Sequence, residues 1–352
     1  MHNDSLRTPR REFFKQAMTA GGLLIAGGAI RNAHAADAPD WTRQAGLELF
    51  TVRDVLPKDF EGTLAKVAAM GYKEVEPATG YGDMDPKQFR ATLDRYGLSM
   101  PTTHSGAAEG PDLEKTLEGF QIMGLKYTEI SGPRPAGARG PGAGGPGGGA
   151  PGGGPGAGAG RAAGQGGGRG PMGGPGGGRG AAPAMTVEAA KRNAAQLNEH
   201  GKIAKKFGMK ILVHNHTGEF APLANSDLRQ YDVLLAETDP ELVAMQLDIG
   251  WASVAGQDIL AMFQKNPGRY ELWHVKDASG IKKMDGMSMS ERQRSASLVP
   301  VGLGDVDYKT IFANAGVAGM KHYCVEQDNA NAWGDSMAAA QVSLTNLKRI
   351  LA

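Results

Sequence analysis

Eight short strand-like runs, most of them separated by helix-like segments, constrain the fold of this 352-residue chain more than any other feature. The runs are apolar or rich in β-branched residues, and they lie at 47–51, 74–77, 99–104, 127–131, 210–216, 243–249, 270–275 and 321–326. Eight such units predict an α/β fold, a (β/α)8 TIM barrel in which helices surround a closed parallel sheet. A doubly wound sheet would also alternate, but residues 49–54 form no glycine-rich phosphate turn after the first run.

The helix-like segments are marked by apolar residues that recur on one face and by the residues that end them. The pattern predicts helices at Phe60–Met70, at Pro86–Tyr96, from 187 to 207 and at Ser336–Leu351. Gly97 and Gly208 follow two of these segments, as expected for residues that stop a helix.

A segment at 133–184 interrupts the pattern and accounts for the chain's excess of glycine. It consists almost entirely of Gly, Pro, Ala and Arg, keeps no collagen-like period throughout and offers nothing to fill a core. We therefore predict a disordered insertion. Both flanks are ordinary globular sequence, and closure entropy grows slowly with loop length, so we expect the insertion to interrupt one domain after the fourth strand.

The first 35 residues are typical of a twin-arginine signal peptide. Arg10 and Arg11 precede two aromatic residues and a lysine, and an apolar stretch follows that is shorter than the roughly 20 residues of a membrane span. Ala33-His34-Ala35 is a small-x-small cleavage site. We expect the twin-arginine machinery to export a folded chain, which leaves residues 36–352 in the periplasm or outside the cell without a stable membrane anchor.

Charge limits the class of partner, and cysteine content limits what can stabilise the fold. The chain has 38 basic and 37 acidic side chains and a net charge of +1, so nothing electrostatic favours binding to nucleic acid. Cys324 is the one cysteine, which excludes an intrachain disulfide and leaves the core to hold the fold. We expect a small-molecule substrate; the sequence leaves the oligomeric state open.

Potential metal ligands lie at the ends of the four late strands. His214 and His216 end the fifth run, Asp248 lies in the sixth, His274 in the seventh and Glu326 ends the eighth. The C-terminal ends of barrel strands meet at one face, where barrel enzymes have their active sites. Ionisable groups packed there are costly unless a cation or other partners compensate. The sequence therefore predicts one divalent metal ion.

Five motifs follow one another along the chain: His-Asn-His-x-x-Glu-Phe at 214–220, Leu-Asp-Ile-Gly-Trp-Ala at 247–252, His-Val-Lys-Asp at 274–277, Val-Gly-x-Gly-x-x-Asp at 301–307 and Val-Glu-Gln-Asp at 325–328. Their order and spacing resemble the xylose isomerase-like TIM barrel superfamily, and most of all its exported branch of sugar phosphate isomerase/epimerase-like proteins. The epimerases of this superfamily hold a metal with Glu, Asp, His and Glu from strands five to eight, and the two glutamates also move the proton.

The resemblance implies that Asp248, His274 and Glu326 are metal ligands. It departs at the first position, where His214 stands in place of glutamate and His216 lies further along the same face. Two or three histidines with two carboxylates suit Mn, Zn, Co or Fe better than Mg or Ca. The departure puts the symmetric two-glutamate mechanism in doubt.

Sugar isomerisation, epimerisation and β-elimination all begin with loss of a proton next to a carbonyl, which a metal would polarise. Glu326 is the first candidate for the base, and His216 is a further catalytic candidate. Lys276 faces the same way as His274 and would neutralise the developing oxyanion, or else form an ion pair with a neighbouring carboxylate. Expected substrate contacts are His104, Glu76, Trp251 and Glu219.

These expectations favour a metal-dependent sugar isomerase or epimerase that stabilises an enediolate. A lyase or hydrolase of 3-keto-glycosides would use the same enolisation, and both export and the missing glutamate favour it. A non-catalytic sugar-binding barrel is a third reading, although the candidate ligands are all present. A DNA-repair nuclease is disfavoured because the chain is not basic and carries an export signal.

Overall fold

The structure, a computed structural model, describes residues 40–132 and 185–352. The predicted signal peptide and the predicted disorder of the insertion lie outside these residues and stay predictions. Within the two described ranges, we find no helix with the length and hydropathy needed to cross a bilayer.

Seven strands form one parallel sheet. The strands of the described chain are β1 (Gly46–Glu48), β2 (Glu74–Glu76), β3 (Ala107–Ala108), β4 (Tyr127–Thr128), β5 (Ile130–Ser131), β6 (Lys210–His214), β7 (Val243–Asp248), β8 (Leu272–Val275), β9 (Asp277–Ser279), β10 (Ser297–Val299) and β11 (His322–Val325). The sheet order is β2-β1-β11-β8-β7-β6-β4, and every pairing in it is parallel. The seven strands of this sheet thus lie side by side in the order in which they occur in the chain, with the last strand, β11, next to the first, β1. Only the position between β2 and β4 is not occupied by one of them.

Residues 99–104 fill that position and close the barrel. Ser99 forms a parallel bridge to Glu74, and the carbonyl of Pro101 accepts a hydrogen bond of 3.0 Å from the backbone N–H of Tyr127. Pro101 has no N–H of its own, so the ladder breaks there and no regular strand forms. The predicted (β/α)8 TIM barrel is confirmed, with its third strand present as an extended segment.

Helices surround the sheet. They are α1 (Phe60–Met70), α2 (Pro86–Tyr96), α3 (Leu113–Met123), α4 (Val187–Lys205), α5 (Gln230–Glu237), α6 (Ile249–Val254), α7 (Ile259–Lys265), α8 (Met289–Ser295), α9 (Tyr308–Ala313), α10 (Ala315–Ala318) and α11 (Ser336–Leu351). The side chain of Asp85 caps α2 in a capping box, and Gly97 ends it with a φ of 64°. The predicted bounds of α1, α2 and α11 are confirmed.

The first strand is shorter than predicted. β1 ends at Glu48, whose side chain accepts a hydrogen bond of 2.9 Å from the backbone N–H of Phe50 and so caps a 3-10 helix at Leu49–Val52. Residues 49–51 therefore belong to the loop above the barrel. The apolar run alone cannot separate a short strand from the buried turn that follows it.

Strand alternation decides what fills the barrel. Inside it, Tyr127, Leu212, Ala244 and Leu272 pack together as one apolar cluster. Successive side chains of a strand point to opposite faces, so the residue two positions further along also points inward, closer to the C-terminal face. This rule brings His214, Gln246 and His274 above that apolar layer.

Candidate metal centre and active site

Four side chains converge above the apolar layer. One donor atom each from His214, Asp248, His274 and Glu326 lies within 4.8 Å of the others. His274 Nδ1 is 2.7 Å from Glu326 Oε2, and His214 Nε2 is 3.4 Å from Asp248 Oδ2. The four residues come from or directly follow β6, β7, β8 and β11, which are neighbours in the sheet.

Several of these donor atoms are buried and make only unaligned polar contacts with one another and with Lys276. His214 Nε2, Asp248 Oδ2 and His274 Nδ1 make no aligned hydrogen bond within the described chain. Buried polar atoms almost always have such a partner, so three in one cluster need an explanation. Two imidazole nitrogens and two carboxylates are a donor set that suits Zn, Mn, Co or Fe. The residues present therefore fit a divalent metal ion.

The charge of His214 agrees with a ligand role. Burial, together with the neighbouring His274 and His104, lowers the pKa of His214 to about 3, although Asp248 acts in the opposite direction. The ring is neutral at physiological pH, and only a neutral imidazole has a lone pair for a metal.

The ammonium group of Lys276 lies against the two carboxylates of this cluster. Its Nζ lies 3.1 Å from Asp248 Oδ2, 3.0 Å from Glu326 Oε2 and 2.8 Å from Asp328 Oδ2, and the side chain is fully buried. Burial acts to lower the pKa of Lys276, but the three carboxylates hold it well above its ordinary value. Repulsion between carboxylates does not by itself require a metal here. The buried donor atoms that lack an aligned hydrogen bond are the stronger argument.

Glu76 lies at the centre of a hydrogen-bonded group inside the barrel. Its Oε1 is 2.6 Å from His274 Nε2 and 3.1 Å from His104 Nε2. Its Oε2 accepts hydrogen bonds from Gln246 Nε2, at 2.7 Å, and from the hydroxyl of Thr102. Burial acts to raise the pKa of Glu76, but the two histidines hold it well below its ordinary value. Both oxygens of Glu76 are thus engaged by protein groups, which is the geometry of a residue that positions its neighbours.

His104 borders the donor cluster. Its ring centroid is 4.9 Å from that of His214 and 5.2 Å from that of His274, and its Nδ1 is 3.5 Å from Glu129 Oε1. Burial acts to lower the pKa of His104, but Glu76 and Glu129 raise it to about 10. The ring is partly exposed, so a protonated imidazole is available beside the cluster.

Three other expected residues lie further out. His216 is exposed, and its ring centroid is 4.8 Å from that of His214, but its nitrogens are not among the converging donors. Glu219 accepts a 2.8 Å hydrogen bond from the backbone N–H of His216 and so holds its own loop. Trp251 is buried with Met284 and Leu298, and Lys276 Nζ lies 5.3 Å from its ring centroid.

Four further acids and amides near strand ends are absent from the predicted site residues. Glu48 ends β1, Glu129 follows β4, Gln246 lies in β7 and Asp328 lies two residues beyond Glu326. Burial, reinforced by the nearby Glu326, raises the pKa of Glu48 well above its ordinary value. The period of two that places His214 inside the barrel would have identified Glu48, Glu129 and Gln246, whereas Asp328 lies in the turn after β11.

The motif at 301–307 forms a loop whose backbone binds the side chain of Asp277. Asp277 accepts hydrogen bonds of 2.9 Å, 3.1 Å and 3.3 Å from the backbone N–H groups of Gly302, Gly304 and Val306. A Cβ at Gly304 would lie 2.1 Å from Asp277 Oδ1, so only glycine fits. Since Asp277 follows Lys276 directly, this loop anchors the end of the seventh barrel strand.

A cavity of about 330 Å³ adjoins the cluster. Glu129 and His214 line one part of it, and Gln196 and His200 of α4 line another. It provides space beside the converging donors.

Comparisons with known proteins agree with this architecture. An inosose dehydratase from Clostridium tetani is 31% identical over 134 residues, which cover 37% of this chain and 44% of that protein. The chain thus spans less than half of that curated relative's length.

Solved structures share the fold over most of the chain. A sugar phosphate isomerase/epimerase from Parabacteroides distasonis ATCC 8503 superposes with a TM-score of 0.57 at 19% identity, covering 87% of this chain and 94% of that one. The IOLI protein, solved with a bound zinc atom, superposes with a TM-score of 0.53 at 13% identity, covering 88% and 98%. At these identities the likeness concerns the fold.

The family model described as xylose isomerase-like TIM barrel matches residues 167–348, more than half of the chain. Together with the closed parallel barrel and the cluster at its C-terminal face, this match shows that the chain belongs to the xylose isomerase-like TIM barrel family.

Proposed function

We propose that this protein is a metal-dependent lyase that acts on a keto-sugar, keto-glycoside or related polyhydroxy ketone by removing a proton next to the carbonyl and expelling a β-substituent. The observation that carries the proposal is the asymmetry of the cluster. Neutral His214 occupies the position at which a second glutamate base would stand, so Glu326 is the one glutamate among the four donors. The curated relative is named as a dehydratase, which is also a lyase.

The donor set His214, Asp248, His274 and Glu326 would hold the ion, and the structural neighbour that was solved with a zinc atom supports metal binding by a barrel of this fold. A divalent ion bound there would polarise the substrate carbonyl and acidify the adjacent C–H group. Lys276 would lie beside the substrate oxygen on which negative charge develops, since its Nζ is already within 3.1 Å of two of the four donors.

Proton transfer falls to residues on two sides of the cluster. Burial acts to raise the pKa of Glu326, but Lys276 and His274 hold it well below its ordinary value, so Glu326 is ionised and accepts the substrate proton. His104, protonated between Glu76 and Glu129, is the group that would donate a proton to the departing substituent. One base and one acid are what an elimination needs.

A two-base isomerase or epimerase is the second candidate. Glu129 lies beyond the fourth strand and Glu326 beyond the eighth, on opposite sides of an eight-stranded barrel. Two carboxylates so placed would reach both faces of a substrate carbon, which epimerisation requires.

Proton exchange and bond cleavage distinguish these functions. Residues 36–352 would be loaded with zinc or manganese, incubated in D2O with a 3-keto-glycoside or a ketose, and followed by NMR. Loss of the β-substituent is the result expected for the lyase. Deuterium at carbon without cleavage would favour the isomerase or epimerase, and neither change in any substrate would contradict an enolising enzyme.

A further inference from the structure

One carboxylate inside the barrel holds two histidines. Glu76 ends β2 with no exposed surface, and its Oε1 faces His274 Nε2 at 2.6 Å and His104 Nε2 at 3.1 Å. Neither oxygen is left for a substrate, because Gln246 and Thr102 donate to Oε2.

The contact with His274 decides which of its nitrogens is available. A carboxylate accepts from Nε2–H, so Nε2 keeps its proton and Nδ1 is the nitrogen that a metal ion would use. Nδ1 is the atom that faces Glu326, at 2.7 Å, and that has no aligned hydrogen bond. Glu76 therefore turns the metal-facing nitrogen of His274 toward the other donors.

Gln246 connects the second histidine to the same group. Its amide Nε2 donates to Glu76, so its Oε1 is left to accept, and His104 Nε2 lies 2.8 Å from that oxygen. The amide can satisfy both contacts in one orientation only. The orientation of His104 thus depends on the same carboxylate as that of His274.

We propose that Glu76 is the positioning residue of the metal centre, fixing the ring and the proton-bearing nitrogen of His274 directly and orienting His104 both directly and through Gln246. This proposal rests on the proposed function for its metal ion, but the contacts that it assigns are all made between side chains of the protein. Mutation of a residue that holds a metal-binding histidine in this way commonly weakens metal affinity by about 10–100-fold.

Glu76→Gln tests the proposal with little change in shape, and Glu74→Gln is its matched control. Glu74 lies two residues earlier on β2, is buried, and contacts a histidine of its own, with His322 Nδ1 2.9 Å from its Oε1. Zinc affinity of the full chain would be measured by competition with a chelator, beside the melting temperature of the metal-free protein. We expect Glu76→Gln to bind zinc about 10–100-fold more weakly and Glu74→Gln to match the parent.

A second measurement needs no metal. In the protein with 15N-labelled histidine, the Nε2–H proton of His274 should resonate far downfield because it is held by a carboxylate. Glu76→Gln should move that signal upfield, and Glu74→Gln should leave it in place. Should Glu76→Gln fail to fold, Glu76→Asp keeps the charge but retracts the carboxylate by one methylene, and the same two changes are expected.

Unchanged zinc affinity in Glu76→Gln, or an unmoved His274 signal, would overturn the proposal. If the parent protein binds no zinc, manganese, cobalt or iron, the proposed function fails. The ring-proton measurement alone then decides whether Glu76 positions His274.

Discussion

At the scale of single residues, Lys276 and a bound metal ion would share carboxylates. Asp248 and Glu326 each lie within 3.1 Å of Lys276 Nζ and are also among the four converging donors. The buried lysine keeps these carboxylates charged when no ion is bound, because it holds their pKa values low against the opposing effect of burial. Lys276 therefore compensates part of the negative charge of this cluster.

Replacing Lys276 tests whether the lysine and a bound metal ion interact with the same carboxylates. Lys276→Met leaves Asp248, Glu326 and Asp328 buried without their common partner, and breaking a buried pair costs about 3–5 kcal/mol. We expect the melting temperature of the metal-free variant to fall, and added zinc to raise it by more than in the parent because zinc replaces the missing charge. Lys202→Met is the control, since its pair with Glu199 is exposed. An equal rise with zinc in variant and parent would contradict the shared-carboxylate interpretation.

Single alanine variants identify the ligands. Asp248→Ala, His274→Ala and Glu326→Ala should each lose tight metal binding and activity, because each removes one converging donor. His214→Ala should do the same, whereas His216→Ala should keep its metal because its ring is exposed and outside the cluster. Elemental analysis gives metal per chain, with melting temperature alongside. Full occupancy in Asp248→Ala and Glu326→Ala would place the site elsewhere.

At the scale of elements, the loop after the seventh barrel strand is held by side-chain contacts to backbone. β9 and β10 pair in an antiparallel fashion, and Asp277 at the start of β9 collects backbone N–H groups from the glycine-containing loop that follows β10. Burial raises the pKa of Asp277, and the donated hydrogen bonds act against that rise. This arrangement connects the loop to Lys276.

Gly304→Ala tests this element. The added Cβ would lie 2.1 Å from Asp277 Oδ1, so either the loop or the carboxylate must shift. Overpacking of this kind costs about 1–3 kcal/mol, and we expect a loss of that size in the free energy of unfolding together with reduced activity. Urea unfolding measures it. Gly316→Ala is the control, because a Cβ there meets nothing within 4 Å, and its stability should be unchanged or higher. Equal effects of the two substitutions would rule out the packing argument.

At the scale of the whole molecule, the proposed active site and a group of stabilising contacts lie at opposite ends of the barrel. At the N-terminal ends of the strands, Glu271 accepts hydrogen bonds from Lys210 at 2.6 Å, Lys321 at 2.8 Å and Tyr127 at 2.8 Å. Burial acts to raise the pKa of Glu271, but these partners lower it. Barrel enzymes generally place stabilising contacts at this face and catalysis at the other.

Glu271 should make stability depend on pH. Its pKa is lower in the folded protein, so its contribution is present above the unfolded value of about 4.3 and is lost as pH falls through the folded value. Glu271→Gln should therefore cost about 1–3 kcal/mol near neutral pH, and the difference from the parent should shrink at acidic pH. Urea unfolding at several pH values measures this, with the exposed Glu199→Gln as a control that shows no difference. A constant difference across pH would argue against an ionised Glu271.

Export concerns the whole chain. We propose that Arg10 and Arg11 direct twin-arginine export of the folded protein, on the evidence of the pattern in the first 35 residues. Changing both residues to Lys should retain the precursor in the cytoplasm, as seen by fractionation and immunoblotting. The same chain with Arg43→Lys is the control. Mature protein outside the cytoplasm after the double change would exclude this route.

The barrel and three of its four converging donors were predictable from the sequence alone. Apolar runs of period two and helices of period 3.6 are local signals, and a chain that repeats them eight times has few ways to bury its apolar faces. The bounds of α1, α2 and α11 follow from capping residues and helix-ending signals next to them in the chain. Asp248, His274 and Glu326 come together because parallel strands end at one face.

Which atoms of these residues come into contact inside the barrel depends on the tertiary structure. Periodicity places both His214 and His216 on one face, but their distance from the neighbouring strand ends determines which nitrogen reaches the cluster. Likewise, it places Glu76 inside the barrel without revealing that His104 and Gln246, distant in the chain, occupy its oxygens. Such contacts depend on the register between strands, and register is set by packing across the whole sheet.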